Sequence, residues 1–213
     1  TNTAVGYLAL TTFEADAQDH GENTAVGSKA GTAVSTGTAN TLIGKDSGLA
    51  LTTGDNNTAL GTMALSADTD GTDNVAIGWK AGRNVHGAQK NVMIGYQAMA
   101  NIDNNPGDEI ANCVAIGYEA FLGSDNNTTG TTTDANGTIA IGHSSLKALT
   151  TGQKNIAIGF EALKTATELD DNLAIGYQAL KAASGSAGTG RNMAIGYLAG
   201  KSVTSGQFNV LIG

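Results

Sequence analysis

The densest run of chemically capable residues is Asp68-Thr69-Asp70-Gly71-Thr72-Asp73. Carboxylates spaced around a glycine can wrap a hard cation such as Ca2+, which takes oxygen ligands. Asp68, Asp70 and Asp73 are therefore the candidate metal ligands. Their spacing is not that of an EF-hand loop, and a solvated turn is the simpler reading. The three histidines, His20, His86 and His143, lie far apart, and no pair has metal-ligand spacing. The single cysteine, Cys113, leaves no intrachain disulfide and reads as a small buried hydrophobe. No Ser-His-Asp or Cys-His set is recognisable. A pair of glycosidic carboxylates would have to be assembled by loops or between chains. The expectation is a protein that is not an enzyme, with no cofactor and no resident metal.

Two further features could recognise a ligand. One is a set of polar stretches near 11–22, 100–111, 123–137 and 182–190, with Asp16, His20, Asp103, Asp108, Asp125 and Asp134 as candidate contact residues. Loops on a rigid scaffold carry function, and here they would contact a receptor or carbohydrate. The other is a periodic set of rings, Tyr7, Trp79, Tyr96, Tyr118, Phe160, Tyr177 and Tyr197, with His143 at the same position. Such rings can stack on sugars, although a periodic column more often packs along its own axis.

The elements that must position these residues are set by a repeat. A motif of the form Asn-x-Ala-Ile-Gly recurs and ends at Gly6, Gly27, Gly44, Gly61, Gly78, Gly95, Gly117, Gly142, Gly159, Gly176, Gly196 and Gly213. The commonest interval is 17 residues, and every departure is longer. A fixed minimum with insertions means that one coil is the structural unit and extra residues bulge out as loops. The whole of 1–213 reads as one array of about 12 coils, a fragment of a longer fibre protein that opens and closes inside a repeat.

Each column has a physical reading. The residue before the glycine is Val, Ile or Leu, as at Ile77 and Ile158. Two places earlier stands Thr3, Thr24, Thr41 or Thr58, then Val75 and other apolar residues. These two columns share one face of a strand, and the small residue between them, mostly Ala, takes the other. Gly78 and Gly159 typify a column that needs a sharp bend or a close backbone approach. Asn74 and Asn155 typify a column whose amides can bond to one another along a stack. After the glycine comes a second short segment, such as Tyr96-Gln97-Ala98-Met99, and then a polar turn. One coil is expected to run strand, bend, strand, turn.

A coil with so few small apolar residues encloses little, so the array is expected to bury a face by self-association, with the Ala column as the surface of close approach. At roughly 4.8 Å per coil the rod is about 55 Å long. With 19 acidic against 11 basic residues and a net charge of −8, the chain is not expected to bind nucleic acid, which needs clustered Lys and Arg. No apolar run approaches the ~20 residues of a membrane span, so no membrane insertion is expected of this segment.

The Asn-x-Ala-Ile-Gly-Tyr-x-Ala-Leu repeat resembles the head repeats of trimeric autotransporter adhesins (YadA-like heads). It is equally similar to repeats of phage tail fibres and related bacterial fibre proteins, and the resemblance covers essentially the whole chain. It implies an all-β fold, a left-handed parallel β-roll or β-solenoid assembled as a homotrimer, with the Val/Ile columns filling each roll and the small columns between subunits. It implies an extracellular place, on a bacterial cell surface or a virion tail fibre. The function implied is adhesion and host recognition through a cell-surface glycan or protein receptor. The alternatives are a phage tail-fibre shaft or receptor-binding segment, and a monomeric glycan- or ice-binding solenoid motivated by the Thr column. That column is expected to point inward with its apolar partner.

Overall fold

In a computed structural model, residues 1–13, 21–102, 110–123, 135–186 and 189–213 are described. The chain is an all-β parallel solenoid of about eleven turns with a 17-residue base repeat, and no helix occurs among the described residues. Among the described residues twelve three-residue strands follow one another: β1 (Thr3–Val5), β2 (Thr24–Val26), β3 (Thr41–Ile43), β4 (Thr58–Leu60), β5 (Val75–Ile77), β6 (Val92–Ile94), β7 (Val114–Ile116), β8 (Ile139–Ile141), β9 (Ile156–Ile158), β10 (Leu173–Ile175), β11 (Met193–Ile195) and β12 (Val210–Ile212). They form a single sheet in chain order, each paired in parallel with the next. The register is residue for residue across coils of different length, as in Ala115↔Ala140 of β7–β8 and Ala140↔Ala157 of β8–β9.

The sheet faces the opposite way from the expectation. The middle residue of each strand points into the coil: Ala25, Leu42, Ala59, Ala76, Met93, Ala115, Ala140, Ala157, Ala174 and Ala194 are buried. The Val/Ile columns on either side of it lie outside and are half-buried or exposed in the single chain. The Thr column lies outside with them, with Thr24, Thr41 and Thr58 half-buried. The reason is the width of the coil. Opposite the strand, the fourth residue after the bend glycine fills the interior, as Leu65, Met99, Phe121, Leu146, Leu163 and Leu180 do, all buried. Only Ala then fits on the strand side. Where the strand residue is large, the opposing place is glycine. A Cβ at Gly31 or Gly48 would come within 2.8 Å of Leu42, one at Gly82 within 2.7 Å of Met93, and one at Gly200 within 2.6 Å of Leu211. Side-chain volume is thus conserved across the coil, as close packing requires.

The expected second strand is also absent. The segment after the bend glycine is a run of turns in which the second and fourth residues are left-handed: Gln97 (φ 51°) and Met99 (φ 54°), Gln178 (φ 54°) and Leu180 (φ 48°). This handedness is costly for residues with a Cβ. It persists because the curled backbone still bonds along the stack. The N–H of Gln97 donates to the Trp79 carbonyl (2.9 Å), and that of Met99 to the Ala120 carbonyl (3.0 Å).

The bend glycines stack directly on one another. Gly78 has φ +132°, and a Cβ there would sit 2.4 Å from the Gly95 carbonyl oxygen; Gly159 (φ +135°) would meet the Gly176 oxygen at 2.3 Å. Only glycine satisfies both the dihedral and the approach. The asparagines form a buried ladder. The Asn74 Oδ1 accepts from the Asn91 backbone N–H (3.1 Å) and Nδ2 (3.2 Å), while the Asn74 Nδ2 donates to the Ala88 carbonyl (2.6 Å). Asn155 and Asn172 repeat the pattern. The left-handed residue is the one before the asparagine, such as Asp73 (φ 59°) or Lys154 (φ 54°), rather than the asparagine itself.

Candidate binding faces

The outer face of the sheet is an organised surface built from three columns of side chains. It changes character along the rod. In β1–β4 the first outward residue is Thr, and the place after the bend glycine holds Tyr7, Ser28, Lys45 and Thr62. From β5 onward the first residue is Val, Ile, Leu or Met, the second is Ile, and the third column is aromatic. Trp79, Tyr96, Tyr118, His143, Phe160, Tyr177 and Tyr197 stack face to face, with ring centroids 4.6, 4.9, 4.9, 5.1, 5.2 and 5.3 Å apart in turn. The stacking distance is close to the inter-strand spacing of a sheet. Inside this column the ring faces are occupied by neighbouring rings, so the surface presents ring edges. His143 sits between Tyr118 and Phe160 as one more ring.

The three carboxylates of the Asp-rich turn are not brought together. Asp68 turns inward and is fully buried, in the column otherwise filled by Val34, Leu51, Val85, Ile102 and Leu149. Its Oδ1 accepts from the Gly71 N–H (3.0 Å), and its Oδ2 has no hydrogen-bond partner among the described residues. Burial pushes its carboxyl up to about 7, opposed by the Gly71 hydrogen bond and assisted by the charge of Asp70. Asp70 is exposed and takes a hydrogen bond from the Thr69 hydroxyl (3.0 Å), while Asp73 is exposed and takes one from the Asn56 amide (3.2 Å). Among the described residues no group of three His, Cys, Asp or Glu side chains is placed to hold a metal ion.

The loop residues Asp16, His20, Asp103, Asp108, Asp125 and Asp134 lie outside the described residues. The described flanks of those loops keep the stack. Asn101 bridges Gly123, Gln89 bridges Ala111, and Asp170 bridges Gly190, all in parallel. The Asn ladder changes at the coils beside the two longest insertions. Cys113 takes the ladder place, its N–H donating to the Asn91 Oδ1 (2.9 Å) and its buried thiol to the Ala135 carbonyl (3.2 Å). Burial pushes that thiol up to about 11, which leaves it protonated and unreactive. Thr138 takes the next place, fully buried, with no partner for its Oγ1 among the described residues.

Two features escaped the sequence reading. A Ser/Thr column on the far side of the coil bonds along the stack. Thr52 donates to the Thr69 carbonyl (2.8 Å) and Thr150 to that of Thr167 (2.8 Å). An ion-pair edge joins Glu119 to Lys147 (2.6 Å) and Glu161 to both Lys164 (2.6 Å) and Lys181 (2.6 Å). The hydrogen bond from Lys164, then that from Lys181, holds the Glu161 carboxyl down to about 2. Both features show as same-type residues 17 apart in the sequence, or at the equivalent place where coils are longer.

No helix among the described residues is long and apolar enough to cross a membrane. Comparison with protein-family models, with curated proteins and with solved structures finds no match.

Proposed function

We propose that the chain is a structural and adhesive segment of a trimeric surface fibre, a left-handed β-roll that extends outward and presents a binding surface for attachment to a host or target cell. The observation that carries this reading is the outer face of β5–β11. Two columns of Val, Ile, Leu or Met and one of rings run uninterrupted over seven coils. At ~4.8 Å per coil and ~3.3 Å per residue, the face measures about 34 Å by 13 Å, on the order of 400 Å². That is the scale of the largest apolar patch on a typical protein surface, and such patches often mark interaction sites. A second and third copy of the same chain present an identical straight face, so three parallel rods can close around a common axis.

The subunit interface is therefore assigned to the Val/Ile and aromatic columns, and no longer to the Ala column, which is spent inside each coil. Three-fold repetition would give avidity from modest single contacts. Place on a bacterial surface or a virion tail fibre follows from the repeat's resemblance, and the shaft of a tail fibre uses the same assembly. The test is the mass of the folded segment in solution. Three times 21.3 kDa supports the proposal, and 21.3 kDa overturns it.

A second reading is favoured by the outward Thr column of β1–β4. A flat, regular array of Thr and Val/Ile side chains on a monomeric solenoid suits an ordered ligand surface such as ice. Thermal hysteresis in a solution of the monomeric chain would support it, and freezing at the colligative point would remove it.

A further inference from the structure

Charge is unevenly divided along the rod. Residues 1–142 hold 5 of the 11 basic and 15 of the 19 acidic residues, a net of −10, so residues 143–213 carry +2 within a chain of −8. Much of that positive charge stands in one file. Lys147, Lys164, Lys181 and Lys201 are each the fifth residue after a bend glycine, in four successive coils. The parallel register therefore stacks them at about the inter-strand spacing of ~4.8 Å. Like charges directly opposite one another across a sheet destabilise it. Two carboxylates relieve three of the four ammonium groups: Glu119 takes Lys147, and Glu161 is shared by Lys164 and Lys181. Lys201 makes no ion pair among the described residues and is exposed. The next residue in each coil is small (Ala148, Thr165, Ala182 and Ser202), which leaves the file open on its flank.

We infer that this lysine file is a docking strip for an acidic polysaccharide, a single linear polymer bearing carboxylate or sulfate groups along its length. A straight line with one cation per coil matches a single-file polyanion. A membrane would call for a broad basic plane, and a duplex nucleic acid would be repelled by the −10 of the remaining rod. The strip begins beyond the bend, off the strand face assigned to self-association, so assembly leaves it open. In a trimer it occurs three times, and the repetition adds avidity. The inference rests on the reading of the chain as an attachment segment and names the chemistry of what it attaches to.

The test uses the whole chain with dextran sulfate as probe, against uncharged dextran and phosphatidylserine vesicles. Lys164→Gln/Lys181→Gln/Lys201→Gln is compared with Lys29→Gln/Lys45→Gln/Lys90→Gln, which changes the net charge equally but removes scattered lysines. Wild type binds dextran sulfate with an affinity that falls as salt rises, and ignores dextran. Loss of about fivefold per ammonium predicts a drop on the order of 100-fold for the file variant, with little change for the scattered one. Absence of binding to dextran sulfate, equal losses in the two variants, equal binding to uncharged dextran, or binding to vesicles alone would each overturn the inference. A monomeric mass would overturn the assembly and leave the comparison of the two variants intact, so the two failures are separable.

Discussion

Asp68 offers the sharpest perturbation. It is a carboxyl buried in a column of aliphatic side chains, with Oδ2 unpartnered among the described residues and its pKa raised from 3.8 to about 7. The unfolded chain ionises this group above about pH 4 and the folded chain only above about pH 7. Stability from this residue is therefore highest below pH 4, falls as pH rises through that window, and is level above it. A displacement of roughly three units at 1.36 kcal/mol each is about 4 kcal/mol at pH 8. Asp68→Leu removes the burden without crowding the coil, because the chain already solves that packing twice. Leu51 lies over Gly54 and Leu149 over Gly152, as Asp68 lies over Gly71. Urea or thermal unfolding followed by circular dichroism at pH 5 and pH 8 should show Asp68→Leu more stable at pH 8 by about 4 kcal/mol, with the gap closing toward acid. Asp68→Asn should flatten the same part of the profile. A wild type whose pH profile coincides with that of Asp68→Leu would refute the reasoning, as would a variant less stable at pH 8.

Gly159→Ala should prevent native stacking at that coil, because its Cβ would meet the Gly176 carbonyl at 2.3 Å with φ at +135°; loss of the folded circular dichroism signal checks it. Asn74→Ala removes the acceptor of two donors of Asn91 and the donor to Ala88, each buried, and should cost about 2–4 kcal/mol in unfolding experiments. Leu42→Ala leaves a cavity between Gly31 and Gly48 and should cost about 2–5 kcal/mol. Glu161, whose carboxyl is held near 2 by Lys164 and Lys181, contributes stability that is complete above its ordinary value near 4.5 and lost as pH falls through about 2. The Glu161→Gln variant should therefore lose stability at neutral pH and match wild type near pH 2.

The array, its period and its parallel register were legible because Gly78 and its equivalents tolerate no other residue, and Asn74 and its equivalents bond to one another along the stack. The direction of the sheet was not. Period-two alternation separates Val75 and Ile77 from Ala76, but with both faces apolar it does not say which is inside. The sign lay in a pairing across the coil. Leu42, Met93 and Leu211 are the large exceptions in the Ala column, and each meets a glycine opposite, at Gly48, Gly82 and Gly200. The turns after the bend were misread as strand because Leu, Met and Phe rarely adopt a left-handed backbone. The interchange of those residues with Gly31, Gly48, Gly82 and Gly200 at one place was the available signal. Asp68 reads as part of a solvated turn because its neighbours are acidic, whereas its place in the coil, seven residues after Gly61, is the core place of Leu51 and Val85.

The most direct test of the central claim is light scattering of the segment beside a variant with Ile94→Lys and Ile158→Lys, two outward, half-buried positions of the sheet face. The account predicts three times 21.3 kDa for wild type and 21.3 kDa for the variant, with the β-sheet circular dichroism signal retained in both. A wild-type monomer, or a variant that stays trimeric with lysines at both positions, would contradict it.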